Sequence, residues 1–150
     1  MIKLMNHMSF TVSNLNKSVP FYNEILGLKL MNIADRDPSF SEKVTGIKGA
    51  YLKIAYLKAP NCFLELVQYL HPEGKSIDTS TCNVGSAHVC FYINNFKSYM
   101  VRLRKNKVKI VNDPQIIPGG PNKGRLVVYT EDPDSNTIEF ISTEIYKDSL

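Results

Sequence analysis

Alternation of apolar and polar positions marks two short stretches that each begin with a histidine. Residues 7–12 and residues 88–93 place an apolar side chain at every second position, and the histidine starts the opposite, more polar set. A period of two is the pattern of a strand with one buried face. Each stretch is therefore predicted to be a β-strand with its histidine on the more polar face.

The two strands open two copies of one repeat. At a constant offset along the chain the same residue types recur, namely His7 with His88, Phe10 with Phe91, and Asn14 with Asn95. Helical spacing of apolar residues follows each strand, and Gly27 and Asn106 are predicted to end these helices in the left-handed conformation. Pro20 is predicted to lie in the first helical turn, where its missing N–H costs little.

Both copies close with two strands joined by a proline-containing turn, which is typical of a hairpin. Each copy is therefore predicted to run strand, helix, strand, strand, strand, so that eight strands and two helices are expected. The fold class is α+β, with module one at about residues 1–70, a linker at about 71–84 and module two at about 85–145. With 150 residues, the chain has the size of one ordinary domain, and residues 1–150 are predicted to form a single one.

One glutamate lies midway along the last strand of each copy, so the repeat carries the pattern His7, Glu65, His88, Glu139. Taken singly, a strand histidine is usually a surface residue and a strand glutamate is usually solvated. Here strand alternation turns both carboxylates away from the helix-covered side, and a carboxylate among apolar neighbours is costly without a compensating charge. Two imidazoles and two carboxylates suit a divalent Zn, Ni, Co, Mn or Fe ion with positions left open for a substrate.

Composition and charge exclude several other classes. A chain that is 43% hydrophobic and 21% charged is typical of a soluble globular protein. The net charge of +4 comes from scattered lysines, and the one dense stretch, residues 102–109, has the pattern of the solvated side of a helix, so no nucleic-acid partner is predicted. No apolar run is long enough for a membrane span, and a cytoplasmic location is expected. Cys62 and Cys90 lie in strand-like runs and are predicted to be buried thiols.

These motifs resemble the vicinal oxygen chelate superfamily over essentially the whole chain. His7 with residues 18–30 resembles its first-module opening, "H…V.D…S..FY...LG…L", and residues 132–140 resemble its ending, "DPDGN.IE", with Ser135 in place of the usual glycine. The resemblance implies two paired βαβββ modules that form a curved eight-stranded mixed sheet around a metal cavity. It also implies a small-molecule substrate and a homodimer, in which the two His–Glu pairs meet either within one chain or across the two chains.

The resemblance also implies a choice of reactions. Glu65 in the ligand set resembles glyoxalase I and methylmalonyl-CoA epimerase, so the first hypothesis is a metal-dependent lyase or isomerase of glyoxalase I-like type. In such an enzyme Glu65 or Glu139 would carry a proton to and from the carbon beside a carbonyl. The alternatives are a methylmalonyl-CoA epimerase-like enzyme, for whose additional base Glu42 is the nearby candidate, an Fe(II) extradiol dioxygenase that uses only His7, His88 and Glu139, and a non-enzymic bleomycin- or drug-binding protein.

The loop of residues 118–125 is the remaining candidate for function. Its backbone amides and the cations Lys123 and Arg125 could hold an anionic group of a substrate. An ordinary hairpin connection is the alternative interpretation.

Overall fold

The computed structural model of the protein describes residues 1–146. The chain divides into two compact units, Met1–Ile77 and Asp78–Leu150. The boundary falls inside the predicted linker, so each unit corresponds to one predicted module. The expectation that the modules form a single domain stays a prediction.

Module one contains one four-stranded sheet. Its elements are β1 (His7–Thr11), α1 (Leu15–Pro20), a π-helical turn (Phe21–Ile25), β2 (Lys29–Asp35), α2 (Pro38–Thr45), β3 (Tyr51–Lys58) and β4 (Phe63–His71). The strand order is β1-β4-β3-β2. The first strand is parallel to β4 and the other pairs are antiparallel, so the helix that follows β1 belongs to the crossover expected of a parallel connection.

Module two repeats this topology in a five-stranded sheet. Its elements are β5 (His88–Ile93), α3 (Phe96–Lys105), β6 (Lys109–Ile110), β7 (Gln115–Ile116), β8 (Arg125–Glu131) and β9 (Thr137–Ile145). The order is β5-β9-β8-β6, and β7 also pairs with β8. Strand β5 is parallel to β9 as β1 is to β4, which confirms the α+β class and the predicted repeat.

Helix α2 and strand β7 were not expected from the repeat. The helix is delimited by local capping, because Asp37 Oδ1 accepts the N–H of Phe40 at 2.8 Å and Gly46 ends the helix in the left-handed conformation with φ 71°. Its apolar residues Phe40 and Val44 are exposed. A helix without a buried apolar stripe gives no periodic signal, which explains why hydrophobic spacing did not reveal it.

Two details of the helix ends differ from expectation. Pro20 is the last residue of α1, because the helix already begins after Asn14, whose side chain accepts the N–H of Asn16 at 2.8 Å. The proline has no N–H to donate, and a π-helical turn follows it. Gly27 is left-handed as predicted, but at the end of α3 the left-handed residue is Lys107, with φ 55°, and not Asn106.

The largest buried apolar side chains of each module lie on one face of its sheet, whereas Leu52, Ile54 and Ile141 are buried on the other face. In module one the buried set includes Phe10, Tyr22, Leu57, Leu64 and Leu66, and in module two it includes Phe96, Leu103, Leu126, Ile138 and Phe140. Strand alternation puts the histidines and glutamates of the repeat on the opposite face. Within residues 1–146 no helix is long and apolar enough to cross a membrane.

Candidate metal centre

The histidine and glutamate of module one form a close pair, called here half-site one. In the parallel β1–β4 ladder His7 lies across from Phe63 and Ser9 lies across from Glu65, so His7 and Glu65 are diagonal neighbours on one face. The distance between His7 Nε2 and Glu65 Oε2 is 3.4 Å. Glu65 is buried, with 9% of its surface exposed.

Module two builds the same arrangement, called here half-site two. His88 lies across from Thr137 and Cys90 lies across from Glu139. The distance between His88 Nε2 and Glu139 Oε2 is 3.2 Å, and the side chains are 39% and 17% exposed. The two halves of the repeat therefore position the same two donor atoms in nearly the same way.

His7 has a hydrogen-bonding partner on the side away from Glu65. His7 Nδ1 is 2.8 Å from Asn6 Oδ1, and an amide oxygen can only accept, so this contact uses Nδ1 as the donor. In the tautomer with the proton on Nδ1, the Nε2 lone pair faces a carboxylate oxygen. Two acceptor atoms in contact require a proton or a cation between them. A histidine that binds a metal through one ring nitrogen usually donates a hydrogen bond from the other, and that bond orients the ring.

The donor set fits a divalent cation. Imidazole nitrogen and carboxylate oxygen bind Zn²⁺ at about 2.0–2.2 Å, so two donors of one ion lie roughly 3 Å apart. The Nε2–Oε2 distances of 3.4 and 3.2 Å are close to this spacing and longer than a charge-assisted hydrogen bond. Within residues 1–146, however, no three His, Cys, Asp or Glu side chains are grouped so that they could hold a metal ion. Each module thus supplies two donors, and the four-residue ligand set stays a prediction.

A tyrosine on the neighbouring strand accompanies each pair, and sequence analysis missed both. Tyr56 lies across from Glu65 and Tyr129 lies across from Glu139. The Tyr56 ring meets the His7 ring edge-on at 6.0 Å, and the Tyr129 ring lies 5.3 Å from the His88 ring. The correspondence of Tyr56 and Tyr129 within the repeated hairpins was the available signal.

The two tyrosines differ in what surrounds the hydroxyl. A hydrogen bond with the Glu65 carboxylate is the largest cause of the raised pKa of Tyr56, followed by burial, while the Arg36 guanidinium acts in the opposite direction. The pKa of Tyr129 is raised first by burial and then by the charge of Glu139. Arg36, which sequence analysis did not select, is therefore part of the surroundings of half-site one.

The turn before Glu139 is intact although serine replaces the glycine of the family motif. Ser135 takes the left-handed conformation with φ 65°. The buried Asp132 carboxylate accepts the N–H groups of Asp134 and Asn136 at 2.8 Å and the Asn136 side-chain amide at 2.9 Å. These bonds hold the turn, so the serine does not displace the strand that carries Glu139.

The predicted substrate-binding cations lie in different settings. Lys123 is an exposed turn residue. The Arg125 guanidinium donates to the Ser142 and Thr143 carbonyls at the end of β9 and lies 5.6 Å from the Tyr92 ring centre. Arg125 therefore has a structural function in module two, and a substrate-binding function of either residue stays a prediction.

Three other residues clarify the candidate chemistry. Cys90 is exposed and Cys62 is half-buried, so the expectation of two buried thiols is wrong. The reason is that Cys90 follows His88 on the polar face of β5. Glu42, the candidate for a separate base, accepts the Gly49 N–H at 2.9 Å and so holds the loop after α2.

The family follows from these observations together with a match to the Glyoxalase/Bleomycin resistance protein/Dioxygenase superfamily over residues 4–140. The chain belongs to this superfamily. A glyoxalase family protein from Bacillus cereus has the same fold, with a TM-score of 0.78, 22% identity and 95% of each chain covered.

Curated relatives carry several different activities in their names. The chain is 26% identical to a 2-epi-5-epi-valiolone epimerase from Actinomyces sp, over 92% of this chain and 78% of that protein. It is 29% identical to the metallothiol transferase FosB of Staphylococcus epidermidis, over 99% of this chain and 87% of that protein. It is 28% identical to a probable lactoylglutathione lyase from Synechocystis sp., over 95% and 97%. The family therefore contains enzymes, and the particular reaction is a matter for proposal.

Proposed function

We propose that this protein is a divalent-metal-dependent lyase or isomerase of glyoxalase I-like type, with His7, Glu65, His88 and Glu139 as the metal ligands. The observation that carries the proposal is the duplication of one His–Glu pair, with Nε2–Oε2 distances of 3.4 and 3.2 Å. Glu65 provides the second support. A ligand set of only three residues would leave the buried Glu65 carboxylate, which faces His7, without a function.

The ligand set is completed when half-site one and half-site two meet, either within one chain or across a homodimer. Neither pair alone provides enough donors for a tightly held ion, since catalytic zinc sites use three or more protein ligands. A small molecule with neighbouring oxygen atoms would occupy the coordination positions that the protein leaves open.

The chemistry of the proposed reaction needs an acid–base group beside the metal. A bound divalent cation would polarise a substrate carbonyl and stabilise the negative charge that forms when the adjacent carbon loses its proton. Glu65 or Glu139 takes this proton and returns it to the same or the neighbouring carbon. The Tyr56 hydroxyl interacts with the Glu65 carboxylate, and this contact orients the carboxylate.

An epimerase is the second candidate, because the valiolone epimerase is similar over 92% of the chain. Epimerisation uses the same removal and return of a proton beside a carbonyl, so both candidates need Glu65 and Glu139. Glu42 is engaged with the Gly49 N–H, and we therefore assign the base to the His–Glu pairs. An Fe(II) dioxygenase would work without Glu65, and a drug-binding protein would work without a metal.

The decisive experiment combines Glu65→Gln with His88→Ala and measures both metal content and turnover. Turnover is followed as solvent-deuterium exchange into α-hydroxyketone, hemithioacetal and acyl-CoA substrates. The double variant should lose stoichiometric metal and exchange, whereas the matched control Glu73→Gln with His71→Ala, which makes the same replacements at two exposed positions, should keep both. A double variant that still binds one metal per site would refute the proposal.

The same substitutions show where the two half-sites meet. If sites form across two chains, a mixed dimer of Glu65→Gln and His88→Ala subunits contains one site with all four ligands and recovers exchange. If each site lies within one chain, every site in the mixture lacks a ligand and the exchange stays absent. Oxygen consumption with catechols that survives Glu65→Gln would instead identify a dioxygenase.

A further inference from the structure

One row of side chains crosses the sheet of module one at the end that carries His7. His7 lies across from Phe63, and Phe63 lies across from Lys58. Lys58 in turn lies across from Lys29. Side chains paired across neighbouring strands point to the same face, so both lysines lie on the face that carries half-site one. Neighbouring strands are about 4.8 Å apart, which puts the Lys58 backbone roughly 10 Å from that of His7.

Module two has the same row with different charges. The corresponding positions are His88, Thr137, Glu131 and Lys109. Lys109 and Glu131 form an ion pair, with 2.8 Å between Nζ and Oε2. The repeat therefore places a carboxylate, that of Glu131, where module one has the ammonium group of Lys58.

The two lysines of module one have no such carboxylate beside them. Within residues 1–146 no ion pair involves Lys29 or Lys58. Like charges directly across from one another destabilise a sheet. Both side chains are exposed, so solvent weakens the repulsion, but a carboxylate between them would be attracted by both. Such a carboxylate would take the place that Glu131 has in module two.

A cavity adjoins this lysine pair. It measures about 330 Å³ and is lined by Leu4, Met5, Asn6 and residues 58–63. Lys58 and Phe63 both form part of its wall, and most of the other lining side chains are apolar. Ligand pockets are typically lined in this way, with a few polar groups that fix the orientation of the ligand. The cavity is therefore suited to an apolar chain whose charged end meets Lys58.

The cavity shares two of its lining residues with the surroundings of half-site one. Asn6 Oδ1 is 2.8 Å from His7 Nδ1. The Phe63 ring meets the Tyr56 ring edge-on, with 6.2 Å between the ring centres, and Tyr56 lies across from Glu65. A molecule in the cavity therefore lies beside half-site one.

We propose that Lys58, Lys29 and the adjoining cavity form a subsite that binds the carboxylate and the apolar chain of a small organic acid. This inference rests on the proposed function only in treating that acid as the substrate that reacts at half-site one. It narrows the substrate class to hydrophobic carboxylic acids that carry a further carbonyl group.

The subsite is tested with three probes, hexanoate, hexan-1-ol and acetate, added to the full-length protein at constant ionic strength and without metal. Occupancy is read from the rate at which iodoacetamide modifies Cys62, which lines the cavity, as measured by peptide mass spectrometry. The exposed Cys82 is the control in the same sample. Hexanoate should slow the reaction of Cys62 but not that of Cys82. It should act at concentrations at least about tenfold lower than acetate, since each buried methylene improves affinity about fourfold.

Lys58→Glu separates the charge from the cavity, because it gives module one the charge pattern of module two. The variant should be no less stable than the wild type, since an attraction to Lys29 replaces a repulsion. Its affinity for hexanoate should fall at least about fivefold, the upper range for an exposed ion pair, while its affinity for hexan-1-ol stays the same. The matched control Lys48→Gln removes an exposed cation outside the cavity and should change neither affinity.

Two results would overturn the subsite, namely hexanoate that leaves the Cys62 rate and the NMR signal of the Met5 methyl group unchanged, and hexanoate that binds wild type and Lys58→Glu equally. Cobalt(II) titration of the same samples separates the two proposals. Absent metal binding with intact hexanoate binding refutes the metal enzyme alone, and intact metal binding without hexanoate binding refutes the subsite alone.

Discussion

The two half-sites share their donor atoms but differ in what surrounds them. Half-site one has Asn6 behind its histidine, Tyr56 beside its carboxylate and Arg36 beyond the tyrosine. Half-site two has Tyr129 against its histidine and the Cys90 thiol across from its carboxylate. The repeat has therefore kept the pair that would bind a metal, while the neighbouring positions have diverged. Divergent surroundings are what a site needs to hold an asymmetric substrate in one orientation.

The substitutions with the largest expected effect test whether the two carboxylates are equivalent as metal ligands. Glu65→Gln and Glu139→Gln should each weaken divalent-metal binding by at least about a hundredfold, because each removes a charged donor and loss of an outer partner alone costs up to that much. Cobalt(II) titration followed by absorbance measures the affinity. If only Glu139→Gln has this effect, Glu65 is not a ligand and the three-ligand dioxygenase set is favoured.

The next effect concerns the thiol that only half-site two contains. Partial desolvation by the surrounding side chains, and then the Glu139 carboxylate, raise the pKa of Cys90 to about 12, although part of the residue is exposed. In a Cys62→Ser/Cys82→Ser background, Cys90 in the metal-free protein should react with iodoacetamide at pH 8 several tens of times more slowly than a thiol with the ordinary pKa of about 8.5. Peptide mass spectrometry gives the rate.

The control for this thiol is Glu139→Gln, which removes one of the causes and should speed the reaction. Ser9 occupies the matching position across from Glu65, so Ser9→Cys in a background without the native cysteines gives the same measurement for half-site one. A Cys90 that reacts as fast as an ordinary exposed thiol would show that Glu139 and its surroundings do not act on it.

The smallest expected effect is a difference in metal affinity between variants of the two tyrosines. Tyr56→Phe should weaken metal binding about tenfold, because it removes the hydroxyl that orients Glu65. Tyr129→Phe should change the affinity less, since burial and not a hydrogen bond is the first cause of its raised pKa. Equal losses in the two variants would contradict the assignment of Tyr56 as a positioning residue.

A pH titration of the metal-free protein measures the pKa values of the two tyrosines, which a purely structural role of Tyr56 would leave unchanged in the Glu65→Gln variant. Both phenols are neutral when protonated, so their raised pKa values mean that they ionise above pH 10 in the folded protein. Glu65→Gln should bring the pKa of Tyr56 down further than Glu139→Gln brings that of Tyr129, as measured by ultraviolet absorbance. The reverse order would indicate that the Glu65 contact is unimportant.

Much of the fold was predictable because the repeat is visible in patterns of residues close together along the chain. A histidine followed by strict alternation defined β1 and β5, and helical spacing defined α1 and α3. The pairing of Glu65 with His7 also follows from alternation once the strands are parallel neighbours. Helix α2 was not predictable in this way, because its apolar residues are exposed and only its caps define it.

The sequence by itself determined the α+β class, the duplication and the four metal-capable residues, since these depend on periodicities of two and about four residues and on residue type. Tertiary structure alone decided which residues surround each pair, because Tyr56 and Glu65 lie on two different strands and Arg36 directly follows a third. Their proximity depends on the β2–β3–β4 register, and a register involves contacts between residues far apart along the chain. No local pattern contains that information.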